Sequence, residues 1–140
     1  MLTEKEFCDY ETCVALKSLG YRDKCFCYYD TADNVGLLCN TEFTSEVLPC
    51  QYMDCTESHN SLNDDCVDAP TIYEAQKWLR QNGVIVDHYN NFTIQAFKYY
   101  ISTWDEDICT SNKYTTWEEA LSDGIKEATR LIIEKRILLD

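Results

Sequence analysis

The stretch DAPTIYEAQKWLRQNGVIVDHYNNFTIQAFKYYIS, residues 68–102, holds a helix start, a helix stop and two strands in one pass. Thr71 followed by Glu74 is a capping box: the hydroxyl takes the amide of residue 74, and the carboxylate reaches back to the amide of residue 71. Pro70 helps to fix the entry. Ile72, Ala75 and Leu79 share a face, with Trp78 alongside, and Gly83 supplies the left-handed residue that ends a helix. This spacing predicts a helix over 71–82. Two β-rich runs follow, VIVDHY and FTIQAFKYYIS, joined at Asn90-Asn91. Asparagine tolerates positive φ, so a two-residue hairpin turn is predicted there, with Tyr89 and Phe92 as neighbours. Val84, Val86, Phe97, Tyr99 and Ile101 then share the face that receives the helices. Ile85, Asp87, Ile94, Ala96, Lys98 and Tyr100 form the other face, which is mixed and open to a second layer or a partner.

Downstream, Thr116 and Glu119 repeat the capping box, and Leu121, Ile125, Ala128 and Ile132 make an apolar stripe. Lys126, Arg130, Lys135 and Arg136 fall late, where the helix dipole favours cations. A helix over 116–135 follows, with a short strand expected near Ile108-Cys109. The second half therefore reads α-β-β-β-α. Double-stranded-RNA-binding domains share that order, but the basic surface they need is missing. Upstream, DYETCVALKSLG (residues 9–20) is a fainter copy of the same grammar: Glu11, Leu16 and Gly20 repeat the spacing of Glu74, Leu79 and Gly83. CFCYY and VGLLC follow, separated by the turn-rich DTADN. The predicted fold is α+β, an antiparallel sheet of four to five strands packed by about three helices, with a helix-hairpin unit repeated. The 140 residues read as a single domain. A first unit spans 9–39, an acidic Cys-rich loop 40–68, and a second unit with its closing helix 69–136.

The segments APTIYEAQKWLRQNG and YTTWEEALSDGIKEA, with the opening ETCVALKSLGY, resemble small uncharacterised proteins of phages, prophages and other mobile elements of gut anaerobes. The likeness covers most of the chain outside the middle loop. It implies a fold and no particular reaction, because the shared positions are helix caps and core residues.

The charge is the stronger functional signal. The chain carries a formal charge of −13, with 12 basic residues against 25 acidic ones. From Cys25 to Gln76 there is no Lys or Arg, while Asp30, Asp33, Glu42, Glu46, Asp54, Glu57, Asp64, Asp65, Asp68 and Glu74 fall inside that segment. Such a chain cannot displace counterions from phosphates, which opposes direct nucleic-acid binding. It suits a basic protein partner, such as the channel of a nucleic-acid-targeting enzyme, whose phosphate ligands carboxylates can imitate. Asp30, Asp33, Glu42, Glu46, Asp54, Glu57, Asp64 and Asp65 are the candidate contact residues. The mixed sheet face around Ile94 and Tyr100 is the next candidate. Of the ten tyrosines, Tyr28, Tyr29, Tyr52 and Tyr73 lie in or beside the acidic segment, where tyrosine serves an interface or a core equally well.

Motifs for chemistry are sparse. The chain has two histidines and four glycines, and no P-loop, dinucleotide fingerprint, nucleophile elbow or zinc-protease motif. His88 reads as a semi-exposed imidazole near a hairpin end, Asp105-Glu106-Asp107 as a solvated turn, and Glu118-Glu119 as a helix start. Cys50, Cys55, His59 and Cys66 offer the ligand types of a structural zinc site, but they lack paired C-x-x-C knuckles. No cofactor is expected. The charged start MLTEKEFCDYE lacks the apolar core of an export signal, and no apolar run approaches a membrane span. These features predict a cytoplasmic protein whose nine cysteines are free thiols, with Cys13, Cys25 and Cys27 packed as small apolar residues.

The expected function is a non-enzymatic acidic interaction module of a mobile element, most concretely an anti-defence inhibitor of a system such as a CRISPR effector. Two other readings use the same residues. One is a structural or regulatory accessory, homodimer included, whose charge only keeps it dissolved. The other is a zinc-stabilised or metal-dependent enzyme.

Overall fold

The three described helices lie where their cap and stop residues predict them, to within two residues at either end. The computed structural model describes residues 2–23, 25, 27–30, 37–39, 47–48 and 66–140. The chain divides into two compact units, Met1–Thr71 and Ile72–Asp140, each combining helix with antiparallel strands.

The first unit contains β1 (Leu2–Thr3), a single 3-10 turn (Glu4–Glu6), α1 (Tyr10–Ser18), β2 (Cys27–Asp30), β3 (Leu37–Cys39), β4 (Val47–Leu48) and β5 (Cys66–Ala69). Helix α1 begins because extended Asp9 accepts the Thr12 amide through its carboxylate at 2.8 Å. It ends in a Schellman motif: Tyr21 N–H donates to Leu16 O at 3.0 Å and Gly20 N–H to Lys17 O at 3.1 Å. Gly20 sits at φ +103°, a conformation cheap only for glycine. β2 is the central strand, antiparallel to both β3 and β5, while β1 pairs with β4. Cys8 N–H donates to Pro70 O, and Phe7 bridges Thr71, which ties the start of the chain beside β5. Phe7, Leu16, Tyr21, Val67, Ala69 and the thiols of Cys8, Cys13 and Cys25 fill this core.

The second unit is α2 (Ile72–Gln81), β6 (Val84–Asn91), β7 (Ala96–Thr103), β8 (Asp107–Thr110) and α3 (Trp117–Ile133). This is the predicted α-β-β-β-α order, and the strands form one antiparallel sheet with β7 in the centre. Ile72, Ala75 and Leu79 are fully buried, and the α3 stripe of Leu121, Ile125, Ala128 and Ile132 is buried as well. Extended Thr116 caps α3 by accepting the Glu119 amide at 3.3 Å. Helix α2 ends at Gly83, at φ +88°. Helix α3 stops two residues before the predicted 135. Lys135 takes the left-handed position at φ +61°, and Arg136 N–H returns to Leu131 O at 2.9 Å.

The hairpin corrects the two-residue turn predicted at Asn90-Asn91. β6 runs on through Asn91, which pairs with Ala96, and residues 92–95 form the loop. The Asn91 side chain, rather than a left-handed asparagine backbone, closes it by accepting the amides of Thr93 (3.1 Å) and Ile94 (3.4 Å). Tyr89 consequently pairs with Lys98, not Phe92, and Ile94 lies in the loop instead of on the sheet. The predicted faces survive, because the register moved by an even number of residues and side chains alternate with period two. Val86 pairs with Ile101 and His88 with Tyr99 on the face that α3 covers.

The expected sheet of four to five strands is instead three smaller sheets among the described residues, of two, three and three strands. Each hairpin takes its third strand from the segment that follows it. The two helix-hairpin units agree only as far as the hairpin. The strand after the helix is central in the first unit, whereas the second strand is central in the second. No helix among the described residues is long and apolar enough to cross a membrane.

Candidate functional site

Of the eight carboxylates expected at a contact surface, Asp30 alone falls within the described residues, as the last residue of β2 opposite Cys66. Asp33, Glu42, Glu46, Asp54, Glu57, Asp64 and Asp65 lie outside them, as do Cys50, Cys55 and His59 of the zinc reading. A tenth-part correction to the acidic segment comes from Asp68: in β5 it is 1 % exposed, so its carboxylate belongs to the interior and not to the surface.

The cysteines whose side chains are described divide into two states. Cys8, Cys13 and Cys25 are buried thiols outside any disulfide, packed as small apolar residues should be. Cys13 Sγ donates to Cys8 O at 3.5 Å, and Cys25 Sγ lies 3.6 Å from the Tyr21 hydroxyl. Burial, then the Cys8 side chain, pushes the Cys13 thiol well above its usual range. Cys27 is also buried but is disulfide-bonded, which overturns the expectation that it is a thiol. β2 sets Cys27 directly across from Cys39 on β3 and from Ala69 on β5. Among the described residues no cluster of three or more Cys, His, Asp or Glu could hold a metal ion.

In the second unit the helix-facing side of the sheet gathers an aromatic group that the sequence did not announce. His88 lies 4.9 Å from Trp117 and 6.4 Å from Phe97 between ring centroids, and Trp117 lies 5.8 Å from Tyr73. His88 Nδ1 is buried there without a hydrogen-bond partner, while its Nε2 is 3.9 Å from Asp87 Oδ1. Further along the same face Tyr99 and Tyr114 pack at 6.1 Å. Burial first, then the Glu127 carboxylate, pushes the Tyr99 phenol up to about 12. Tyr114 is raised as well, by burial and by its hydrogen bond to Asp123. Glu127 accepts from Arg130, which holds its carboxyl below the usual range. The His88–Trp117 contact secures α3 to the sheet.

The opposite, mixed face carries a groove of about 480 Å³ lined by Tyr89, Tyr100, Asp107, Ile108 and Thr110, with Ile101 and Cys109. Tyr89 and Tyr100 are 6.2 Å apart between ring centroids, tilted by 46°. Asp87 pairs with Tyr100 from β6, and Thr110 pairs with it from β8. A bulge between Ile101 and Ser102 sets Asp107 opposite Ser102. Burial raises the Tyr100 phenol, and the carboxylates of Asp87 and Asp107 raise it further, so both charges are felt at that ring. Trp104, 71 % exposed, stands in the β7–β8 turn beside Asp105 and Glu106. The sequence had singled out Tyr100 on this face. It could not bring Asp107 to it, because the bulge that does so depends on pairing between strands. No family model, curated protein or solved structure matches the chain.

Proposed function

We propose that this chain is a non-enzymatic acidic interaction module of a phage or mobile element. In its most concrete form it is an anti-defence inhibitor that occupies the basic nucleic-acid channel of a host enzyme such as a CRISPR effector. One observation carries the reading: residues 25–76 hold ten carboxylates and no Lys or Arg, in a chain of net charge −13. A one-signed segment of this kind produces a field that steers association with a surface of opposite sign, and its carboxylates can stand where phosphates stand. With Asp68 buried, the contact falls to Asp30, Asp33, Glu42, Glu46, Asp54, Glu57, Asp64 and Asp65.

The test is displacement of a labelled DNA duplex from nucleic-acid-targeting effectors, measured across a salt series. The parent should displace the duplex at low salt and lose this ability steeply as the Debye length contracts from about 10 Å at 0.1 M to about 3 Å at 1 M. Replacing Asp54, Glu57, Asp64 and Asp65 together with Asn or Gln should slow association and leave the fold intact. A variant that competes as fast as the parent, with the same salt dependence, would remove the acidic segment from the mechanism.

A further inference from the structure

We infer that the groove on the mixed face of the β6–β7–β8 sheet seats an arginine side chain of a protein partner, with the guanidinium over Tyr100 and against the Asp107 carboxylate. This deepens the reading of the chain as an acidic interaction module, but it places a contact in the second unit, apart from residues 25–76.

Three features of the groove select the occupant. The first is its aromatic wall. Tyr89 and Tyr100 present two tilted rings 6.2 Å apart, and a tyrosine face attracts a cation placed within about 6 Å of its centroid. The second is charge. Asp87 and Asp107 reach Tyr100 from the strands on either side, and Asp105 and Glu106 are exposed in the adjoining turn. Against these four carboxylates, the cation on this sheet face is Lys98, paired with Tyr89. The third is size: about 480 Å³ accepts a guanidinium together with its aliphatic stem and flanking atoms. A lysine would satisfy the charge, but arginine also stacks on the ring and can bond a carboxylate through two parallel N–H groups. Trp104, 71 % exposed, stands in the turn that leads into Asp107 but does not line the groove.

The test uses the full chain, ¹⁵N-labelled, titrated with a capped Gly-Arg-Gly peptide and with its lysine and citrulline counterparts. The arginine peptide should shift the amides of Tyr100, Asp107, Ile108 and Thr110, the lysine peptide should do so more weakly, and the neutral citrulline peptide should not. Asp107→Asn should weaken the arginine peptide about threefold, the scale of an exposed ion pair. Lys98→Gln, which removes the opposing charge, should tighten it about twofold on the same scale. Equal shifts with citrulline would make the groove an apolar seat and overturn the inference. So would arginine-induced shifts spread evenly over the acidic surface, or concentration-dependent shifts at the groove without peptide, the mark of a second copy. The variants lie outside residues 25–76, so the groove and the acidic segment stand or fall in separate measurements.

Discussion

A Cβ on Gly124 would stand 2.9 Å from Val86 Cγ1 and 3.0 Å from Tyr99 Cβ. Gly124 is buried in the middle of α3, where glycine costs about 1 kcal/mol of helix propensity against alanine. The close approach explains the cost: α3 lies against the sheet at this point with no room for a methyl group. Gly124→Ala should therefore destabilise by about 1–2 kcal/mol, since overpacking against side-chain atoms this near the backbone outweighs the propensity gain. Urea unfolding measures it, and an alanine variant more stable than the parent would show that α3 sits further from β6 and β7.

Lys135 ends α3 in the left-handed conformation usually left to glycine. Lys135→Gly should remove the Cβ strain and stabilise by about 0.5–1 kcal/mol, after the added freedom of the unfolded chain is offset. A shift of the unfolding midpoint in the opposite direction would refute the Schellman geometry around Arg136 and Leu131.

His88 buries its Nδ1 without a partner among Trp117 and Phe97. An unsatisfied buried polar atom costs about 1–3 kcal/mol, whereas an aromatic ring in the same place retains the packing. His88→Phe is expected to be neutral or stabilising in thermal unfolding. A loss beyond about 1 kcal/mol would mean that the imidazole makes a hydrogen bond.

Thiol labelling reads the two cysteine states. In native protein Cys109, half-buried, should alkylate before Cys8, Cys13 and Cys25, and Cys13 last, because its raised pKa withholds the thiolate. Cys27 should resist alkylation in denaturant until a reductant is added. Labelling of Cys27 without reductant would contradict its disulfide.

Tyr99 and Tyr114 give stability an alkaline limit. Both phenols are raised by folding, so the unfolded chain loses these protons first. Their contribution is whole below the ordinary phenol value near 10 and, for Tyr99, drains away as the pH climbs from there to about 12. Denaturant midpoints measured over that window should fall as tyrosinate absorbance rises late in the native state. A flat stability profile would place both rings in water.

What the sequence determined is the part of the structure whose physics is local. The Thr116 cap, the glycine stops at Gly20 and Gly83, the buried stripes of α2 and α3, and the two faces of β6–β7 each depend on residues a few positions apart. The chain's one-signed segment is equally legible, because charge is additive along a sequence. Residues distant in the chain decided the rest. Asn91 is equally competent as a left-handed turn residue and as a side-chain acceptor, and the full length of strand pairing chose the second. Asp68 reads as one more surface carboxylate until β5 pairs with β2 and buries it. The groove arises in the same way. Tyr89, Tyr100 and Asp107 come from three strands, and only the register across β7, with its bulge beside Ile101, sets two rings and a carboxylate around one space.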